Sequence, residues 1–534
     1  MKSTTMSAPL LINGILQRAG TLFPDAEIVS VLPSGSRHSY TYRDLYRRSR
    51  QLAAALQDAG VAKGDRVATL MWNGHAHLEA YFGIPITGAV IHTLNLRLHA
   101  DELAYIVNHA QDRFLIVEAV LLDLFEQIRP QVNFERVFVV DEGRGSISQG
   151  GEPYEDFLAA TNWEPKDAGL AEEDAAALCY TSGTTGCPKG VLYSHRAIAL
   201  HSLAISLPDQ LNFSRNDTVF PIVPMFHVNS WGFPYAAAMN GSRQVLPGRN
   251  LQPQALLELL QNEHVTVACA VPTIWMAVLN ALDSDPGRWK LSGGLRVIVG
   301  GSAAPESLFR RFDKLGVHLI HAWGMTETAP VGTVCTLKSH MHGWPEDQKY
   351  AQRATQGLPL PFIETRTVSD QGETPRDGVT AGELEVRGPW VAGSYYGLDQ
   401  ADKWTADGWL RTGDVGTLDD EGYLKITDRL KDLIKSGGEW ISSVELENAL
   451  VAHESVKEAA VIAVPHTKWQ ERPLALVVLK DGYAVEAAEL RIFLERRFPR
   501  WHVPDAFIFV DELAHTSTGK LLKSKLRQQF GNWP

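Results

Sequence analysis

Cysteine is scarce: Cys179, Cys187, Cys269 and Cys335 are the four that 534 residues contain. No two form a CxxC pair. That argues against a cysteine zinc site and a disulfide framework, and it suits a reducing compartment. Positive charge is also short. Fifty Lys and Arg stand against 62 Asp and Glu, a net of −12. The electrostatic footprint of a general nucleic-acid binder is therefore missing. No apolar run reaches the ~18 residues that a bilayer span needs. The run Leu10 to Ile12, resumed at Ile15 and Leu16, is broken by Asn13 and Gly14 and is too short for a secretory signal. Lipidation motifs, internal repeats and low-complexity tracts are absent. These absences point to a soluble cytoplasmic protein with no integral membrane segment.

Hydrophobic residues make up 45% and charged residues 21%, an ordinary globular balance. At about 150 residues per domain the length allows about three structural units. Strand patterns at 66–71, 89–92 and 113–117 alternate with helical ones such as 99–107. The alternation resumes with strands at 266–271 and 295–299, and with helices after Pro272 and from Pro305 and Glu306. Strands separated by helices predict βαβ units and a parallel-rich α/β sheet. Between 355 and 427 glycines punctuate short runs, which predicts a small β-rich subdomain. The last ~105 residues read as a separate α+β unit within domain size. Ser442 and Glu445 have capping-box spacing and open a helix through Leu450. Strands are expected at 459–464, 474–479 and 507–510, and a helix at 487–498. The expected division is 1–427, a hinge at 428–432, and a smaller mobile domain at 433–534. Residues 338–352 read as a mobile polar loop.

The strongest local signal is the decapeptide 181–190. Thr181, Ser182, Thr184 and Thr185 supply hydroxyls, Gly183, Gly186 and Gly190 let backbone N–H groups approach an anion, and Lys189 supplies charge. It is not a Walker A loop: Pro188 stands where the second glycine should be, and no Ser or Thr follows Lys189.

This decapeptide resembles the signature of the acyl-adenylate-forming superfamily, which includes acyl-CoA synthetases, adenylation domains and luciferases. The likeness extends over nearly the whole chain. It implies that Glu327 and Thr181 hold Mg²⁺, and that Thr326, within the similar motif Trp323-Gly324-Met325-Thr326-Glu327, meets the α-phosphate. Gly301, Ser302 and Ala303 resemble the loop against adenine. Asp414 resembles the ribose-binding carboxylate, Arg429 a second nucleotide contact, and Asp428 the hinge. Lys435, Gly437, Gly438 and Trp440 resemble the coenzyme A loop, in the form carried by fatty-acyl and 3-methylmercaptopropionyl ligases. Lys520, in a Thr-Ser-Thr-Gly-Lys loop, resembles the catalytic lysine. His227 and Trp231 resemble an acyl-pocket segment, with Trp231 one helical turn beyond His227 and Tyr235 one turn further. Val299 and Gly300 would form the opposite wall. His92, His99, His340 and His342 have no ligand-like partners and read as core or surface residues. Cys187 reads as a spacer.

The resemblance implies an ATP-dependent acyl-CoA ligase for a medium- or long-chain fatty acid, with ATP, Mg²⁺ and coenzyme A as its small molecules and a homodimer as its assembly. A short thioether acid such as 3-methylmercaptopropionate, or an aryl acid, is the alternative substrate. Luciferase-like oxygenation, carrier-protein charging and a non-enzymatic acyl-nucleotide sensor are the other classes. The presence of Lys520, Glu327 and Asp414 together speaks against the sensor.

Overall fold

The computed structural model describes residues 1, 3–141, 151–161, 164–181, 187–437, 439–515, 520–531 and 533, and omits the side chain of Glu439. Two parallel-rich sheets form the bulk of the protein. One has nine strands, and its centre runs His318–Gly324, Arg296–Val299, Val267–Ala270, Thr218–Pro221, Arg243–Leu246 and Glu27–Val31, all parallel. The other has seven, with Phe114–Glu118, Arg66–Leu70, Val90–Thr93 and Ala175–Tyr180 parallel at its centre. The βα alternation expected from the sequence therefore resolves into two sheets, because strands from 27–31 and 218–324 pair with each other and those from 66–194 pair among themselves.

Helix His75–Ile86 shows why the sheets stay together. All of its residues are buried and most are apolar; the one acid among them, Glu79, pairs with Arg48 at 2.6 Å. A helix this apolar must be enclosed on all faces. It packs against strands of both sheets and helix Tyr42–Asp58, in one continuous core with Phe82, Tyr81, Tyr235 and Phe138. Burying one such aromatic is worth about 1.5–3 kcal/mol.

A five-stranded antiparallel sheet follows, ordered 372–373, Glu364–Ser369, Gly382–Arg387, Leu410–Leu418 and Leu424–Arg429. The C-terminal unit is built on the hairpin Val456–His466 with Gln470–Leu479, flanked by Ala506–Phe509 and Ile434–Ser436. Helices Ser443–Val451 and Ala487–Glu495 cover it. Ser442 caps the first of these by accepting from the Glu445 amide at 3.1 Å.

Residues 338–352 depart from the loop expected of them. They form a short 3₁₀ turn, Ser339–Gly343, and most of helix Glu346–Arg353. The Lys338 ammonium holds Glu421 at 2.8 Å, and Tyr350 is buried against the core. A polar segment is ordered here by long-range partners.

Candidate active site

A cavity of about 620 Å³ opens where the strand ends, the five-stranded sheet and the C-terminal unit meet. Thr181 and Lys189 flank it at the ends of the antiparallel pair Ala175–Tyr180 and Gly190–Ser194. Strand His318–Gly324 delivers Trp323 and Gly324, and the tight turn after it delivers Met325, Thr326 and Glu327. Gly300 and Gly301 follow strand Arg296–Val299. Arg429 ends strand Leu424–Arg429, and Lys520 enters from the C-terminal unit; both line the same space. A Cβ on Gly301 would sit 3.5 Å from Lys520 Cε. The tail lysine and the central sheet are thus in contact range.

Lys189 Nζ donates to Gln400 Oε1 at 2.6 Å and lies 5.0 Å from the Tyr395 ring centre. Glu327 is 5% exposed, and its Oε1 accepts from the Tyr395 hydroxyl at 2.5 Å. The motif's backbone is fixed by Tyr193, whose hydroxyl donates to the Thr326 carbonyl at 2.6 Å. Asp414 lies just behind the cavity wall. Trp323 Nε1 donates to its Oδ2 at 2.9 Å, and Arg429 Nε stands 3.2 Å from its Oδ1. Asp414 and Asp432 hold the Arg429 guanidinium above its ordinary range against the effect of burial. Burial, and next Arg429, push the Lys520 ammonium down to about 8, with Asp414 and Glu327 acting the other way. Burial, Lys520 and Arg97 push the His227 imidazole down to about 3. His227 is therefore neutral at pH 7 and can serve as a hydrogen-bonding wall, not as an acid.

The wall carrying Trp231 differs from the right-handed turn its spacing predicts. Val228, Asn229, Ser230 and Trp231 all have positive φ, at 41°, 52°, 50° and 56°. Each left-handed residue costs roughly 1–2 kcal/mol. Burial and specific bonds hold the turn: Ser230 Oγ donates to the Val223 carbonyl at 2.6 Å, and the Cys179 thiol faces Asn229 Oδ1 at 3.5 Å. Strain of this kind collects at functional sites. The result sets the Trp231 ring against the glycines, since a Cβ on Gly300 would lie 3.2 Å from Trp231 Cη2 and only 2.7 Å from the Ala322 carbonyl.

Tyr235 does not share this wall. It is fully buried and stacked on Tyr81 at 5.3 Å. Val299 is fully buried within its strand, and Ser302 and Ala303 follow Gly301 outside the lining. Lys435, Gly437 and Trp440 lie on the C-terminal unit, away from the cavity in this orientation. Trp440 is 47% exposed, with Lys435 Nζ 4.8 Å from its ring centre. Ser182, Gly183, Thr184, Thr185, Gly186 and Gly438 fall outside the described residues. Tyr395, Gln400, Lys403 and Lys431 were not singled out by the sequence. Cys187 also lines the cavity. His92 is a core residue, as expected, and meets Asp112 at 2.7 Å there.

The oxygen chemistry suits a hard divalent cation. Glu327 and Thr181 both line the cavity. Among the described residues no cluster of three or more acidic, His or Cys side chains could hold a metal by itself. Mg²⁺ needs no such cage, because it keeps waters and binds substrate phosphates.

An α/β body that brings Thr181, Lys189, Glu327 and a distant tail lysine to one cavity defines an acyl-adenylate-forming enzyme. The chain belongs to the AMP-binding enzyme family: residues 16–396 match its main domain, and 445–520 match the AMP-binding enzyme C-terminal domain. Within that family it is an AMP-forming acyl-CoA synthetase, with ATP and coenzyme A as substrates. It is 47% identical over 534 residues to a long-chain-fatty-acid–CoA ligase of Thermus thermophilus, covering 99% of this chain and 97% of the relative. It is 45% identical to a 3-methylmercaptopropionyl-CoA ligase of Ruegeria pomeroyi, covering 99% of both. The structure of an anthranilate CoA ligase in complex with anthranoyl-AMP superposes with a TM-score of 0.87 at 25% identity, covering 99% of both chains. No helix among the described residues is long and apolar enough to cross a membrane.

Proposed function

We propose that this protein activates a medium- or long-chain fatty acid. The acid carboxylate attacks the α-phosphorus of ATP, pyrophosphate leaves, and the coenzyme A thiol then displaces AMP from the acyl-adenylate. The observation that carries this reading is the presence of Lys520 in the same cavity as Thr326, Glu327 and Lys189. Two anions must meet there, and Lys189 and Lys520 supply the positive charge that lowers the repulsion. Thr326 reaches the α-phosphate. Mg²⁺ would be held by Glu327 and Thr181 and would neutralise phosphate charge. Asp414 keeps acceptor capacity for a ribose diol, since a carboxylate offers about four lone-pair sites and two are used. Neutral His227 shapes the carboxylate end of the acyl pocket.

Residues 428–432 act as a hinge between 1–427 and 433–534 in this reading. Turning there withdraws Lys520 and brings the Lys435, Gly437, Gly438 and Trp440 face over the site. The exposure of Trp440 supports this, because an aromatic with a cation beside it is left open in the present orientation. On the family resemblance we also place the protein in the cytoplasm as a homodimer.

A short acid such as 3-methylmercaptopropionate is favoured by one observation. The Trp231 ring lies against Gly300 in the cavity wall and takes up space there, so a short chain fits without displacing it. A panel of acids with ATP and coenzyme A, reading AMP and thioester together, tests both. For a fatty acid, kcat/KM should rise with chain length, by up to ~0.8 kcal/mol per methylene in transfer free energy, until the pocket ends. A maximum at three to five chain atoms would select the short acid, and preference for aryl acids would reject both.

A further inference from the structure

Four buried polar side chains meet where the five-stranded sheet passes into the C-terminal unit. Asp428, the penultimate residue of strand Leu424–Arg429, is 1% exposed. The amide and the hydroxyl of Ser443 both donate to its Oδ2 at 2.6 Å. Ser443 opens helix Ser443–Val451. Lys523 opens helix Lys523–Phe530, three residues after Lys520, and its Nζ donates to the same Ser443 hydroxyl at 2.6 Å. Lys523 Nζ also pairs with Glu447 Oε1 at 2.7 Å, and the Val461 amide donates to that oxygen at 2.7 Å.

The bookkeeping of hydrogens fixes the direction of this chain. A hydroxyl has one proton. Ser443 gives its proton to Asp428, so it receives from Lys523. Two buried carboxyls share the one ammonium. Burial pushes the Glu447 carboxyl up to about 7 and raises Asp428 as well, while Lys523 opposes both shifts. Without the ammonium, Ser443 loses its donor and two buried acids lose their counter-charge.

Of these contacts, only the Asp428–Ser443 pair crosses from the strand to the C-terminal unit. Ser442 supports the crossing by donating to the Thr427 carbonyl at 2.5 Å, and Lys425 meets Glu445 at 2.8 Å. Helix Lys523–Phe530 reaches the connecting segment a second time, through Arg527 and Asp432 at 2.7 Å. Leu521, next to Lys520, is bridged to His515.

We propose that Lys523 is a positioning residue for the adenylation step, which ties the Lys520 loop through Ser443 to Asp428 and so holds the C-terminal unit in the orientation that presents Lys520. This rests on the acyl-CoA ligase reading and deepens it. The tie crosses the point about which the unit must turn, so it has to open before the thioester step. Lys523 therefore serves one half-reaction and not the other.

The test separates the halves on the full chain. Pyrophosphate release from octanoate or 3-methylmercaptopropionate with ATP reads adenylation, and thioester formation from the matching synthetic acyl-adenylate with coenzyme A reads the second step. Lys523→Met should lower the first about 100-fold, the scale of a small misplacement of a catalytic group, and leave the second nearly unchanged. Lys523→Arg should recover part of the loss. Ser443→Ala should show the same split with a smaller loss, and it decides the matter if Lys523→Met does not fold. Equal loss in both halves, or no loss in either, overturns the proposal and leaves Lys523 a structural residue. Lys520→Ala is the control. If it abolishes adenylation while Lys523→Met does not, the positioning role alone falls; if it spares adenylation, the role given to Lys520 falls too.

Discussion

The Tyr395 hydroxyl donates to Glu327 Oε1 at 2.5 Å across 68 residues of sequence, and the same ring lies 5.0 Å from Lys189 Nζ. One tyrosine thus touches the acid and the base at the phosphate end of the cavity. Burial, followed by the Glu327 charge, pushes its phenol far above the ordinary range, so it remains a donor at any working pH. A donor behind a metal-binding carboxylate fixes which oxygen faces the metal. Removing such a partner commonly costs about 10–100-fold in metal affinity or activity. Tyr395→Phe should therefore raise the Mg²⁺ concentration needed for half-maximal adenylation by about that factor. A loss of rate that no Mg²⁺ concentration changes would place the hydroxyl's work elsewhere.

Lys189 rests on neutral groups. Its described contacts are the Gln400 amide oxygen at 2.6 Å and the face of Tyr395. Among the described residues, an incoming phosphate then has no counter-ion to displace. Gln400→Glu would add one at nearly the same position. A charge-assisted bond is roughly twice as strong as a neutral one, and part of that gain is screened at this half-exposed position. We expect KM for ATP to rise about 3–10-fold at low salt, with kcat little changed, and the penalty to shrink as salt is added. An unchanged KM at low salt would mean that Lys189 does not leave Gln400 to meet the nucleotide.

Local pattern was enough for the strands at 66–70, 90–93, 114–118 and 296–299, because alternation with amphipathic helices is written within a few residues. It was not enough where a distant partner decides. Glu445 has capping-box spacing, yet its carboxylate turns to Lys425 at 2.8 Å while Ser442 alone caps the helix. Trp231 lies four residues from His227, but the chain between them winds left-handed around Val223 and Cys179. No propensity predicts four successive non-glycine residues with positive φ. The motif residues Trp323 and Asp414 were each legible, and their bond at 2.9 Å spans 91 residues. Tyr395 carries no local signal at all, since a Tyr-Tyr pair in a glycine-rich loop is common and only the fold brings it to Glu327.

Lys520 ties activity to pH in a direction opposite to stability. Burial, reinforced by Arg429, holds its ammonium at about 8 in place of 10.5. Adenylation needs the cation, so kcat/KM for ATP, which reports the free enzyme, should fall as pH rises through about 8. Stability runs the other way. Between 8 and 10.5 the unfolded chain binds this proton and the folded one does not, so the cost of burying the charge is relieved as pH rises and the lysine's contribution to stability increases. The thioester step, which proceeds with Lys520 withdrawn, should show no limb at 8. Lys520→Arg keeps its charge throughout this range and should act slowly but without the limb. An alkaline limb near 8 that survives in Lys520→Arg would assign the titration to another group and remove the charge role argued for Lys520.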